Sequence, residues 1–95
     1  MPEPTHRDIE LLDATINAAV VRMPGRRFPG IVVQGDTLHS WSVLADSLMS
    51  SVNSAPEIDP EVVLDMSELA DLIRSHVDQY ESVLRAHGLA LPYPT

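Results

Sequence analysis

Polar and apolar positions along the chain change rhythm twice. In residues 17–23, Val20, Val21 and Met23 suit a pleated, half-buried strand. Pro24-Gly25 interrupts this run with turn chemistry. Residues 26–34 then resume extended structure around Ile31-Val32-Val33, with Pro29 and Gly30 near the start, where a strand tolerates proline. The two runs predict an antiparallel hairpin. Upstream, residues 8–15 are ambiguous, since Ile9, Leu11 and Leu12 serve a short strand or one helical turn. The turn-like Ile16-Asn17 pair favours strand, turn, strand. Residues 1–7, with two prolines among mostly polar neighbours, read as a frayed tail.

After Gly35 the period lengthens. Leu38, Trp41, Leu44, Ala45, Leu48, Met49 and Val52 recur at steps of three and four, one apolar stripe of a helix. Asp36 or Thr37 supplies its cap, and Asn53-Ser54-Ala55-Pro56 ends it near Val52. A second helix is signalled more strongly, by Asp59 as cap, Pro60 at the first position and Glu61 in the first turn. Its stripe is Val62, Met66, Leu69, Ile73, Val77, Tyr80 and Leu84, and Gly88 closes it. Residues 59–87 are therefore expected to be helical, a rod of roughly 42 Å at the standard rise per residue. The expected fold is α+β: a two- or three-stranded antiparallel sheet followed by two helices that cover one sheet face, the last helix long and acidic. One domain, residues 8–88, carries all of this, and residues 89–95 form a C-terminal tail.

The length of that helix has a consequence. A sheet face about 20–25 Å long leaves roughly a third of the stripe without cover. Val77, Tyr80 and Leu84 are thus expected to form an exposed patch that meets a partner or a second copy of the chain.

Charge narrows the class of partner. Fourteen acids against six arginines, with no lysine, give a net charge of −8. Such a domain repels a phosphate backbone, which disfavours nucleic acid, and it favours a basic protein. Between Glu57 and Glu81 there are eight acids and one base, Arg74. Asp65, Glu68, Asp71 and Asp78 should cluster opposite the apolar stripe, either as a solvated face or as an epitope for a basic partner. Glu81 and Arg85, four apart, lend that helix some support. The other charged segment runs from Arg22 to Gly30, where Arg22, Arg26 and Arg27 fall among two Pro-Gly pairs. It is either a contact surface for phosphate, carboxylate or a partner's acid, or a rigid turn kept soluble by its arginines.

Signs of chemistry are few. No cysteine occurs, which excludes disulfides, zinc–thiolate sites and thiol catalysis. His6, His39, His76 and His87 lie in four separate parts of the chain without metal-site spacing. The serines of residues 40–51 lack a nucleophile elbow and an obvious base, and Gln34-Gly35-Asp36-Thr37-Leu38 lacks the glycine spacing and lysine of a P-loop. No enzyme, cofactor or metal is expected. Without a basic, apolar leader or a run of about 20 apolar residues, the chain reads as cytoplasmic and not membrane-bound.

Phe28-Pro29-Gly30-Ile31-Val32-Val33-Gln34-Gly35-Asp36-Thr37-Leu38 resembles the signature of HicB-type antitoxins, in which a proline-containing strand runs through Gln-Gly-Asp-Thr-Leu into a helix. The stretch from Asn17 to Leu38 also resembles an uncharacterised family of short actinobacterial proteins with an Arg-x-Pro-Gly-Arg-x-Phe-Pro-Gly-x-x-x-Gln-Gly-Asp core. The HicB resemblance spans roughly residues 17–52. It implies a three-stranded sheet packed by a helix, as in a partial ribonuclease-H-like fold that lacks catalytic residues and neutralises a small toxic ribonuclease. After Val52 the chain departs from that pattern, with a linker and the acidic helix in place of a further strand, and no appended DNA-binding segment. The function expected is a protein-binding domain, antitoxin-like or immunity-like, that masks a basic toxin or effector. The alternative is a structural adaptor or homodimerisation module acting through the last helix.

Overall fold

The structure is a computed structural model that describes residues 3–94. Residues 1–2 of the expected N-terminal tail and residue 95 of the C-terminal one lie outside the described residues. The element order is β1 (Glu10–Asp13), β2 (Ala18–Arg22), β3 (Gly30–Val33), α1 (Gly35–Asn53) and α2 (Pro60–Ala86). This is an α+β chain, a three-stranded antiparallel sheet followed by two helices. It divides between Gln34 and Gly35 into two compact units.

In the first unit the strands form a meander in the order β1-β2-β3. The ambiguous segment before residue 16 is thus a strand, and its pairing slips by one residue between Leu11 and Asp13. Such a bulge bends a strand and tightens its twist. The β2–β3 connection begins with a turn in which the Arg26 N–H donates to the Met23 carbonyl at 3.1 Å. Pro24 presets φ at the second position, and Gly25 at the third takes φ 77°, which only glycine adopts without strain. β3 starts later than expected. Pro29 has no N–H to offer the ladder, so pairing begins at Gly30, opposite Val21.

Val21 of the central strand is fully buried, whereas Leu11, Leu12, Ile31 and Val32 of the outer strands are exposed. Since successive strand residues point to opposite faces, both faces stay open along the edges.

The second unit is a helical hairpin. α2 is one unbroken helix of 27 residues, roughly 40 Å long. Asp59 caps it by accepting from the Glu61 N–H at 2.9 Å. At its other end the Leu89 N–H reaches the Leu84 carbonyl at 2.9 Å, and the Gly88 N–H reaches that of Arg85 at 3.1 Å. Gly88, at φ 68°, provides the left-handed residue that this Schellman closure needs. α1 starts earlier than expected, so Asp36 lies in its first turn, where its carboxylate accepts from the Thr37 N–H at 2.9 Å.

The two helices meet along one seam. On α1, residues 35, 38, 42, 45, 49 and 52 are buried or half-buried, and on α2 residues 63, 66, 70, 73, 77, 80 and 84 are. Both sets alternate steps of three and four, the spacing of a coiled-coil seam. Gly35, Ser42, Ala45 and Ala70 are small, which lets the helices approach closely.

The seam corrects the expected exposure of Val77, which is only 1% exposed, while Tyr80 and Leu84 are half-buried. α1 lies along α2 and packs on its stripe as far as Tyr80, which meets Gly35 at the start of α1. An aspartate at Val77 would therefore disrupt the core, not a surface. The exposed apolar side chains are others: Trp41, Val43, Leu44 and Leu48 on α1, and Val62, Leu64, Leu69, Leu72 and Val83 on α2.

Candidate partner-binding site

Around the β2–β3 turn the three arginines do not converge. Glu10 and Arg22 face each other across β1 and β2, and the Arg22 Nε donates to the Glu10 carboxylate at 2.7 Å. An Arg22 Nη also donates to the Arg27 carbonyl, tying the loop to the strand. The Arg27 guanidinium stacks 5.2 Å from the centre of the Phe28 ring, and Arg26 is exposed. A shallow depression joins Arg22 and Arg26 to Asp8 and Glu10. Its charges are balanced, so it does not make an anion site. The first unit as a whole is neutral, with four acids and four arginines up to Gln34.

The helical hairpin is the opposite case. From Gly35 onward there are ten acids and two arginines, so all of the net charge of −8 belongs to this unit. Both arginines are engaged with acids of their own unit, Arg74 with Asp46 and Arg85 with Glu81, the latter at 3.5 Å. Asp65, Glu68, Asp71 and Asp78 are all exposed on the outward surface of α2. Here the structure adds residues that the sequence reading missed. Leu64, 69% exposed, and Leu72, 53% exposed, sit among the acids. With Ser67, Glu68, Asp71 and Ser75 they line a shallow groove. The ridge is therefore amphipathic, with two apolar anchors rimmed by carboxylates.

The hairpin's two flanks differ. On one flank, Ser67, Arg74 and Glu81 of α2 are half-buried, and Arg74 reaches across to Asp46 of α1. The segment after α2 folds back there. The Tyr93 ring stacks on His39 of α1 at 3.7 Å between centroids, 11° from parallel, and its hydroxyl donates to Glu81 at 3.0 Å. Burial and the neighbouring Glu81 carboxylate push the Tyr93 hydroxyl up to about 12, because both disfavour a phenolate. On the other flank, Val62, Leu69, His76 and Val83 are all exposed, as are Trp41, Leu44 and Leu48 of α1. A shallow groove crosses this flank between Leu48 and Leu69, with Ala45 and Ala70 among its lining. A second depression is lined by His76, Gln79, Tyr80, Val83 and Leu84. Of the expected apolar contacts, Tyr80 and Leu84 thus border this open flank, and Val77 does not.

Gly35 has a role beyond the start of α1. A β-carbon there would lie 2.1 Å from a Tyr80 ring atom, so the ring packs directly onto the glycine backbone. The first-turn hydrogen bond from the Thr37 N–H explains Asp36 in the Gln-Gly-Asp segment, and close packing explains the glycine. Ser42, 1% exposed, sits in the seam, and its hydroxyl has no hydrogen-bond partner among the described residues.

Among the described residues no group of three or more His, Asp or Glu side chains is placed to hold a metal ion. No helix among them is long and apolar enough to cross a membrane. Compared with curated proteins and with solved structures, the chain finds no match in either. Residues 4–93 match the group described as a family of unknown function, DUF6959, and the chain belongs to that family.

Proposed function

We propose that the protein is a non-enzymatic protein-binding domain that engages a basic protein through the acidic ridge of α2. The observation that carries this reading is the groove in which exposed Leu64 and Leu72 lie beside Glu68 and Asp71. Carboxylates speed the encounter with a basic surface and set its orientation, while desolvated apolar anchors supply most of the affinity. Both arginines of the unit are engaged with acids of their own unit, so the ridge keeps a net negative charge. An exposed Arg26 beside the β2–β3 turn offers a further contact for a partner's acid. The resemblance of residues 17–52 to HicB-type antitoxins points to the same class, a protein that masks a basic toxin or effector.

The test is capture from a host extract by the wild-type chain and by a ridge variant carrying Asp65→Asn, Glu68→Gln, Asp71→Asn and Asp78→Asn. A basic protein held by the wild type, released by moderate salt and not held by the variant is the expected result. Equal capture of the same proteins by both would contradict the proposal.

A further inference from the structure

We propose that the chain forms a two-fold dimer by burying the open flank of its helical hairpin against the same flank of a second copy. This surface is distinct from the acidic ridge, and the inference does not depend on what the ridge binds.

Three observations lead to a second copy as the occupant. The first is charge. The unit carries ten acids, yet the outward rows of this flank read Trp41, Leu44 and Leu48 on α1 and Leu69, His76 and Val83 on α2. Ser40, Ser47 and Ser51 border the α1 side. Asp65 stands at one end of the flank, and beyond it the titratable side chains are His76 and the half-buried Tyr80 at its border. A basic partner would be drawn to the ridge instead, and a face without charge gives it no steering. Two copies placed face to face keep their acidic ridges on opposite outer surfaces, so self-pairing avoids the repulsion that a net charge of −8 otherwise imposes.

Area is the second. Trp41 is 44% exposed, Leu48 56% and Leu69 59%, with Leu44, Val62 and Val83 similar. At roughly 100 Å² for each half-exposed large side chain, six of them offer on the order of 600 Å² of apolar surface. A standard interface takes about 800 Å² from each partner, so the apolar core and its serine rim together suffice.

Shape is the third. Ala45 and Ala70 keep the Leu48–Leu69 groove shallow and open, and leucines project beside it. A two-fold contact would set the same groove and leucines of both copies against each other. Leucines of one copy fill the groove of the other in the manner of a four-helix bundle.

The experiment is light scattering on the full chain with variants whose altered side chains are exposed. The wild type should run at twice its chain mass of 10.4 kDa. Leu48→Glu with Leu69→Glu should weaken self-association by roughly a hundredfold or more and leave the helical circular dichroism unchanged. Leu64→Glu, on the ridge, should leave the dimer intact. A wild-type monomer at every soluble concentration would overturn the proposal. So would a dimer that survives the double substitution, or one that Leu64→Glu dissociates. Should the double variant fail to fold, Trp41, the only tryptophan, reports on the wild type. Its emission should shift to the red as the dimer is diluted to monomer, and emission that stays fixed through that dissociation would place Trp41 outside the interface and refute the assignment.

Discussion

The two flanks of the helical hairpin are built from the same pair of helices, yet one is closed and the other open. Polar residues line the closed flank, where Arg74 meets Asp46 and Tyr93 bridges His39 and Glu81. The open flank is lined by Trp41, Leu48, Leu69 and Val83, the side chains that water tolerates least. A chain folding only for its own stability would be expected to cover the apolar flank and leave the polar one wet. The C-terminal segment covers the flank that is already polar, while the apolar flank stays exposed. This contrast also divides the energetics, since changes on the closed flank and in the seam should register as stability and changes on the open flank as assembly.

The largest effect should separate the seam from the open flank within one helix. Val77→Asp places a charge in a site that is 1% exposed and should lower stability by about 4 kcal/mol or more. Leu69→Asp, two turns away but exposed, should stay within about 1 kcal/mol of the wild type when both are measured dilute enough to be monomeric. Thermal unfolding followed by circular dichroism distinguishes them, and equal losses would erase the distinction between seam and flank. Next comes Gly35→Val. Its β-carbon collides with the Tyr80 ring, and the ring must swing out of the seam, at a cost of about 2 kcal/mol. In a Tyr80→Ala background the same substitution should cost much less, which a double-mutant cycle reads directly.

Ser42→Ala has the opposite sign. The hydroxyl is buried without a partner, so its removal should raise stability by about 1 kcal/mol, measured by urea unfolding. Asp46→Asn should matter less. Both members of that pair are about half exposed, and an exposed ion pair contributes less than about 1 kcal/mol. The smallest effect is one of pH. Burial and the Glu81 carboxylate push the Tyr93 hydroxyl up to about 12 in the folded chain, from 10.0 for a free tyrosine. With the folded value raised, its contribution is complete below pH 10 and is lost as pH rises from 10 through 12. Tyr93→Phe should remove that slope, whereas an unchanged alkaline unfolding curve would show that the hydroxyl contributes nothing.

Local signals made most of the fold legible in the sequence. Asp59-Pro60-Glu61 and Gly88 mark both ends of α2 within a residue, because caps are short-range chemistry. Pro24-Gly25 marks the β2–β3 turn for the same reason. The site was harder to read. Val62, Leu69 and Val83 form one row on α2 and Met66, Ile73 and Tyr80 form the next, and a spacing of three and four fits either. Which row α1 covers depends on how two helices pair, and no single-helix pattern contains that. Ser42 and Gly35 belong to the seam although neither is apolar in pattern. Tyr93 closes the far flank from a segment that composition marks only as prolines. The acids of the ridge could be read directly, whereas the exposure of Leu64 and Leu72 among them followed only once the seam was known.

The central claim is that the flank carrying Trp41 is an interface, and acrylamide quenching of that tryptophan tests it most directly. In the wild-type chain at concentrations where it self-associates, quenching should be weak. In the Leu48→Glu, Leu69→Glu variant at the same concentration, with its helix content intact, quenching should be strong. Equal and strong quenching in both would show that the flank stays open to solvent and would contradict the account.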